Sequence, residues 1–347
     1  MVKARELRDS GRYRESIQLL ENYLRRAPAD YNAELILAEA YYWSGDFSAA
    51  SKHFRGVLSH DPNNAAAKRQ LDEIRATMRP LYDLSVNYAH DNQPTDRTFA
   101  TAGFRYFFRP ALSARIQLTG EHATAGSVAL DRIDPAISFK AGIAKGLFIE
   151  AAFERPRYSA TILSLTKPVY ATTTRLALQL DRKNWLGEAA VQHVGYDDDN
   201  TALTAYAWLL APVMHSNDAI VQLGYAFGWN DAAESRFAST GRYDPYFTPE
   251  NEMVHSVAAS VSTWTKSGVR FQVNGSYGIK ADRDAPAIQG QGQNRTIRFT
   301  GESFQPYQAH AGVTFPLSRR ASLTIDGEHT KTAFYKYNRA GVSTSFR

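Results

Sequence analysis

The sequence predicts an α + β chain of two domains. A short α-helical repeat module over residues 1–79 is followed, over residues 80–347, by an antiparallel transmembrane β-barrel of about 14 strands, within roughly 12–16. Three observations carry this. The first 80 residues match themselves at an offset of 34. After Arg79-Pro80 the apolar period changes from helical to two. Connections between the predicted strands then alternate between tight and long.

The offset of 34 pairs Gly11 with Gly45, Tyr13 with Phe47, Leu20 with Phe54, Leu24 with Leu58 and Pro28 with Pro62. Each position has a physical task. The glycine lets the chain reverse between two helices, the aromatic packs between them, and the proline ends the second helix. This pattern resembles the tetratricopeptide repeat. The second repeat fills its apolar places with Leu37, Ala38, Tyr41, Ala50 and Leu58, whereas the first begins inside its opening helix. Residues 64–78 add one helix, carrying Leu71 and Ile74, that caps the stack. Fewer than three full repeats rarely form a stable solenoid, so the module is expected to be the tail of a longer array or to draw support from the rest of the chain. The resemblance implies a concave groove for a protein partner. Tyr42 and Trp43 are the groove candidates, with inter-helix packing as their other reading.

From Leu81 onward, one face of each segment is apolar and the other polar. Tyr82, Leu84, Val86 and Tyr88 alternate with Asp83, Ser85 and Asn87, and Ile116 and Leu118 with Arg115 and Gln117. Strands are predicted over 81–90, 98–109, 112–121, 134–143, 147–155, 171–181, 185–196, 201–211, 218–230, 252–264, 268–280, 304–315, 320–331 and 335–346. A lipid-facing exterior around a wet interior requires this alternation. A soluble sandwich alternates too, so the connections decide between them. Those at 109–111, 144–146, 182–184, 265–267 and 316–319 are tight; those at 122–133, 156–170, 231–251 and 281–303 are long. Outer-membrane barrels have short periplasmic turns and long extracellular loops. An even strand count therefore puts the repeats, the C-terminus and the tight set together in the periplasm. The last strand ends on Phe346 before Arg347. An alternating strand finishing on an aromatic resembles the outer-membrane insertion signal.

Composition excludes other classes. No stretch approaches the ~18–20 apolar residues of a spanning helix, so crossing a membrane requires a closed barrel. Cysteine is absent, which removes disulfides and thiolate metal sites. The charge of +5 is spread over both halves, which argues against nucleic acid. No motif calls for a metal or a cofactor, and none is expected. The chain begins without an apolar leader, which points to truncation or processing. Catalysis would need an acid–base pair such as His193 with the Asp197–Asp199 run; a solvated turn is the better reading of those residues, and no enzyme activity is expected.

The segment from Gly241 to Asn251 concentrates Tyr243, Tyr246 and Phe247 with two prolines. Such rings can stack on sugar faces at the extracellular mouth, or the loop can fold inward as a plug. Repeats followed by a barrel, with Tyr246-Phe247-Thr248-Pro249-Glu250 before a strand, resemble the exopolysaccharide export porins that belong to cellulose synthase systems. A small family of outer-membrane barrels with short repeat arrays offers a second resemblance. The first implies passage of a cellulose-like β-glucan through the barrel, with the repeats holding synthesis or scaffold proteins. The alternation assigns Arg105, Arg115, Glu150, Arg175, Glu188, Arg270 and Lys280 to the lumen, where mixed charge suits a hydrated pore. The rival expectation is an assembly protein with a filled barrel, narrowed by inward Phe99, Phe107, Phe148 and Leu186, whose repeats bind a periplasmic partner.

Overall fold

The computed structural model describes residues 1–159, 161–238, 243–290 and 296–347. Contacts divide the described chain into two compact units, Met1–Pro80 with Tyr106–Ser113, and Leu81–Arg105 with Ala114–Arg347.

The first unit contains helices α1 (Val2–Asp9), α2 (Tyr13–Leu24), α3 (Tyr31–Ser44), α4 (Phe47–His60) and α5 (Ala65–Thr77). Asp30, Asp46 and Asn64 cap α3, α4 and α5. Their side chains accept from the amides of Ala33 (3.0 Å), Ala49 (3.1 Å) and Ala67 (3.0 Å), which the helix leaves unpaired. Gly45 ends α3 at φ +83°, a left-handed conformation that strains any L side chain. Phe54 is fully buried among Ala38, Ala50, Val57, Leu71 and Ile74. Its repeat equivalent, Leu20, is buried with Ala4, Ala33, Ile36 and Leu37. The two equivalent positions thus anchor successive cores.

The strands are β1 (Leu81–Asp91), β2 (Asp96–Arg109), β3 (Leu112–Ala125), β4 (Val128–Ala144), β5 (Leu147–Glu154), β6 (Ala171–Arg182), β7 (Trp185–Tyr196), β8 (Thr201–His215), β9 (Ala219–Ala232), β10 (Glu250–Trp264), β11 (Arg270–Gln289), β12 (Thr296–Ser303), β13 (Tyr307–Pro316), β14 (Ala321–Lys331) and β15 (Lys336–Phe346), with a short helix α6 (Ile162–Thr166) between β5 and β6. Fourteen of them close a ring, since β1 pairs with β15 and β10 with β11. The fifteenth, β12, pairs with the outer half of β11, from Asp282 to Gln289, as a projecting hairpin arm.

The alternation read from the sequence is realised as two faces. On β1, Val86 is 57 % exposed while the next residue, Asn87, is 7 % exposed. Ile116, Phe139, Leu176, Leu223, Val273 and Val342 continue the exposed apolar band around the ring. An apolar surface continuous over the whole circumference is unsuited to water and suited to hydrocarbon. Tyr82, Phe104 and Phe346 pack together at the short-turn end, where rings belong at a lipid–water boundary. The turns there are tight: Lys183 and Asn184 both take positive φ, the geometry of a two-residue hairpin.

Two segments expected as loops are largely strand. β3 and β4 run on to a turn at 126–127, and 281–303 becomes the arm of β11 and β12. Outside the lipid a chain leaving the ring still satisfies its amides, and pairing with its neighbour does so without a coil. Ala123, Ala125 and Leu130 stay buried on the inner side of the first extension.

Replacing Val342 by Arg, on the outer face near the middle of β15, is expected to cost about 2–4 kcal/mol of barrel stability, read by urea titration in lipid vesicles. Ser343→Arg, one residue on and facing inward, is expected to cost much less. Equal losses would contradict the assignment of faces. Phe54→Ala is expected to cost the helical unit about 3–5 kcal/mol. Loss of the 222 nm signal at a lower temperature than in the parent chain measures it.

Candidate functional site

The inward residues of the ring form a polar, charge-paired wall. Cross-strand neighbours on one face lie within reach of each other. Arg175 on β6 thus meets Glu150 on β5 (3.5 Å) and Glu188 on β7 (2.5 Å). Its guanidinium also donates to the Tyr206 hydroxyl (2.9 and 3.0 Å), and Gln179 donates to the second Glu188 oxygen (2.8 Å). Three of the residues expected in the lumen therefore belong to one cluster. Arg115 on β3 reaches across β2 to Asp83 on β1 (2.5 Å). Gly103 makes this possible, because a Cβ there would meet the Asp83 carboxylate. Arg105 shares the electrostatic surroundings of Asp83, Arg115 and Glu150. Arg270, near the short-turn end, donates to the Ser262 hydroxyl (3.1 Å).

Lys280 does not join them. A bulge between His255 and Ser256 shifts the β10–β11 register, so Lys280 pairs with His255. His255 packs on the outward rings of Tyr225 and Phe227, which places Lys280 on the outer face, 3.9 Å from Asp282. Strict alternation cannot foresee a bulge, since one extra residue reverses every later assignment.

A cluster that the sequence left unassigned lies on β13, β14 and β15. Arg339 meets Asp326 (2.6 Å) and Glu328 (3.3 Å) and donates to Asn87 on β1 (2.7 Å), while His310 lies 3.3 Å from Asp326. The period-two pattern already held Asp326 and Glu328 on the polar face; their arginine partner, eleven to thirteen residues on in the next strand, had no local signal. At the long-loop end, Arg97 meets Asp91 (2.6 Å), and Arg132 pairs with Glu121 and with Asp134 (2.7 Å). These escaped notice because 91–97 and 122–133 read as connections between strands.

The loop between β9 and β10 folds inward. Gly241 and Arg242 of the aromatic segment lie outside the described residues. Tyr246 is fully buried and stacks on Tyr196 at 3.8 Å between ring centres, with Tyr158 edge-on at 5.8 Å. Its hydroxyl donates to Asp198 (2.7 Å) and accepts from Asn200 (3.3 Å). Burial, and then the Asp198 carboxylate, push this phenol up to about 12. Tyr243 is also buried, and burial pushes it up to about 12, against the pull of the Arg283 guanidinium 5.5 Å above its ring. Phe247 stacks on Phe334 in the β14–β15 connection (5.0 Å). Thr161, in the β5–β6 loop, reaches Asp244 (2.8 Å) and the Pro245 carbonyl (2.9 Å). The loop is thus tied to opposite sides of the rim. Beneath it lies a cavity of about 330 Å³ lined by Arg97, Arg132, Arg157, Tyr158, Phe247 and Phe334. The three mouth aromatics are a ceiling rather than exposed rings.

In the helical unit, Tyr42 stacks on Phe47 (5.2 Å) and donates to Glu73 (2.9 Å), so its ring serves helix packing. Trp43 is 57 % exposed, edge-on to Tyr42. His193 points to the outer face beside Leu203 and Thr174, away from the Asp198 that holds Tyr246.

A tetratricopeptide repeat family model matches residues 7–71. No curated protein sequence matches the chain. Among solved structures, one described as a bacterial polysaccharide outer membrane secretin is similar over 78 % of this chain and 99 % of its own, at 10 % identity and a TM-score of 0.54. The translocator domain of the autotransporter NalP from Neisseria meningitidis matches over 83 % and 98 %, at 11 % identity and a TM-score of 0.39. The NanC porin matches over 77 % and 99 %, at 9 % identity and a TM-score of 0.38. The secretin likeness establishes the fold as an outer-membrane-type barrel.

Tyr246→Phe removes the hydroxyl that holds Asp198 and is expected to weaken loop closure by about 1 kcal/mol. The raised phenol is neutral in the closed loop. Its stabilisation is therefore complete below the ordinary phenol value of about 10 and is lost as pH rises through about 12. Absorbance titration should show phenols ionising near that upper value, with one fewer in Tyr246→Phe.

Proposed function

We propose that this chain is an outer-membrane conduit for a neutral, hydroxyl-rich polysaccharide of the cellulose-like β-glucan class, closed at its outer mouth by the β9–β10 loop. The observation that carries the reading is charge balance along an interior path. Arg97, Arg115, Arg132, Arg175 and Arg339 each sit against at least one carboxylate. Such a wall offers many hydrogen-bonding groups and little net field, which suits a neutral chain better than a polyanion. Tyr158, Phe247 and Phe334 supply flat rings at the vestibule, where sugar faces can stack. Polysaccharide is also the cargo named for the secretin that shares the fold.

In this reading the short-turn end, where β1 enters and β15 leaves, faces the periplasm. The N-terminal residues 1–79 form a periplasmic repeat domain, and residues 80–347 the barrel. The repeats hold a protein of the synthesis or scaffold machinery, with Trp43 as the exposed ring of the contact. The barrel performs no covalent chemistry on its cargo.

A second reading is favoured by the closed mouth itself. A barrel sealed by buried Tyr246 and crossed by ion pairs also suits an assembly protein whose repeats do the binding.

Planar-bilayer recording separates the two. The full chain is expected to pass little current, and a variant with residues 236–247 replaced by Gly-Gly to conduct several-fold more. Cello-oligosaccharides should block that current and uronic-acid oligosaccharides should not. Absence of open current in both forms would sink the conduit. Arg175→Ala, which leaves Glu150 and Glu188 uncompensated, is expected to make the opened pore favour K⁺ over Cl⁻.

A further inference from the structure

The outer face carries a pattern that passage through the lumen does not use. His90, His122, His193, His255 and His329 all point outward, and each stands eight to ten residues from the short-turn end of its strand. A tilted spanning strand takes about 9–11 residues. These rings therefore mark the upper rim of the apolar band, at headgroup level.

On β13, β14, β15 and β1 that rim becomes a basic patch. Lys331 stands directly across from Lys336, like charge facing like charge. No ion pair among the described residues involves either lysine. The Lys331 ammonium lies over the Tyr307 ring instead, at 5.9 Å. His329 stands beside them, 3.2 Å from the Tyr307 hydroxyl and 2.7 Å from Asn338. On the row of His329, Asn338 and His90 the acid is Asp96, engaged by His90 (2.9 Å). Two facing lysines without a counter-charge are costly unless an anion joins them.

Six to eight residues below Lys336 on β15, and level with Val86 and Leu84 on β1, or ~20–27 Å along the strands, the same face opens into a groove of about 430 Å³. Leu84, Val86, Leu118 and Val342 form its walls, and Ala100 and Ala102 its floor. Its lining is almost wholly apolar, and the two alanines leave a trough between the long side chains.

We propose that this face binds a phosphorylated acyl glycolipid of the outer leaflet, with a phosphate between Lys331 and Lys336, His329 at its side, and one acyl chain in the groove below. The proposal rests on the orientation above, which puts the long-loop end outside. The charged headgroup and the apolar tail each meet a matching surface on one face of β15 and β1, the groove lying below the lysines, and the phosphate removes the repulsion between them.

Native mass spectrometry of the full chain in detergent tests this with bisphosphorylated lipid A and its phosphate-free counterpart. Lipid A should be retained at least tenfold better. Lys331→Gln with Lys336→Gln should abolish that preference, and Ala102→Trp should lower retention of both lipids. Acetylation footprinting of the unmodified chain supplies a readout without variants. Lys331 and Lys336 should be protected by lipid A and not by the phosphate-free lipid, while Lys145 and Lys266 at the short-turn end stay reactive. Equal retention of the two lipids would overturn the proposal. So would equal protection by inorganic phosphate alone, or a chain dimer that covers the face. Binding is read without current, so a pore that stays closed in the bilayer leaves this result standing.

Discussion

Every amide within the lipid-facing part of this chain needs a partner from the chain itself, because hydrocarbon supplies none. The pairing of β1 with β15, from Tyr82 against Phe346 to Asp91 against Tyr337, meets that need by removing both free edges at once. The rest follows from closure. A closed ring fixes which residues face in, and so the period-two alternation becomes an apolar band outside and a polar wall inside. Where the requirement lapses, the regularity lapses with it. β12 leaves the ring, β11 bulges opposite His255, and the long connections all emerge at one end.

Within the ring, the polar wall is organised by what lies between charged residues as much as by the charges. Gly103 separates Asp83 from Arg115, and Gly341 separates Asn87 from Arg339. A side chain at either glycine would occupy the space through which the arginine reaches, Arg115 across β2 to β1 and Arg339 to the adjacent β1. Ion pairs sealed from water rarely stabilise a fold, because desolvation offsets the attraction. In a lumen that keeps water near each group the cost is smaller, and the pairs chiefly set the sign and strength of the field along the path. Here Arg97, Arg115, Arg132, Arg175 and Arg339 each face a carboxylate, so the balance is a property of the whole wall rather than of one residue.

The ring was legible in the sequence because closure and burial act residue by residue. Val86 and Asn87 announce their faces by type alone. The 34-residue offset was legible for a similar reason: Gly45 and Phe54 have tasks that few other residues perform. Legibility failed where a position depends on a distant partner. Lys280 follows the alternation in sequence and breaks it in space, because the bulge is a property of the β10–β11 pair. Arg97 and Arg132 lie in or beside a stretch rich in loop-forming residues, and only the extension of β3 and β4 brings Arg132 to the lumen wall. Tyr246 showed itself as an aromatic in a stiff loop. That it stacks on Tyr196 and not outward on ligand is decided by Asp198 and Asn200, about 46 to 48 residues earlier.

That dependence bears on how a closed mouth can belong to a conduit. The ring is held by backbone ladders on both sides of every strand, and opening it would expose amides to lipid. The ceiling is held differently. Phe247 on Phe334, Thr161 to Asp244, and Tyr246 against Tyr196 and Asp198 are side-chain contacts between loops, made outside the hydrocarbon, where water can replace each lost partner. Such contacts break at a cost of a few kcal/mol, well below that of global unfolding. The ceiling can therefore open while the ring stays shut to lipid. A polymer arriving from below would meet the faces of Phe247 and Phe334 as the first surface it can replace. For the proposed conduit, stacking of a sugar there would substitute for the stacking it disrupts, and so lower the cost of opening.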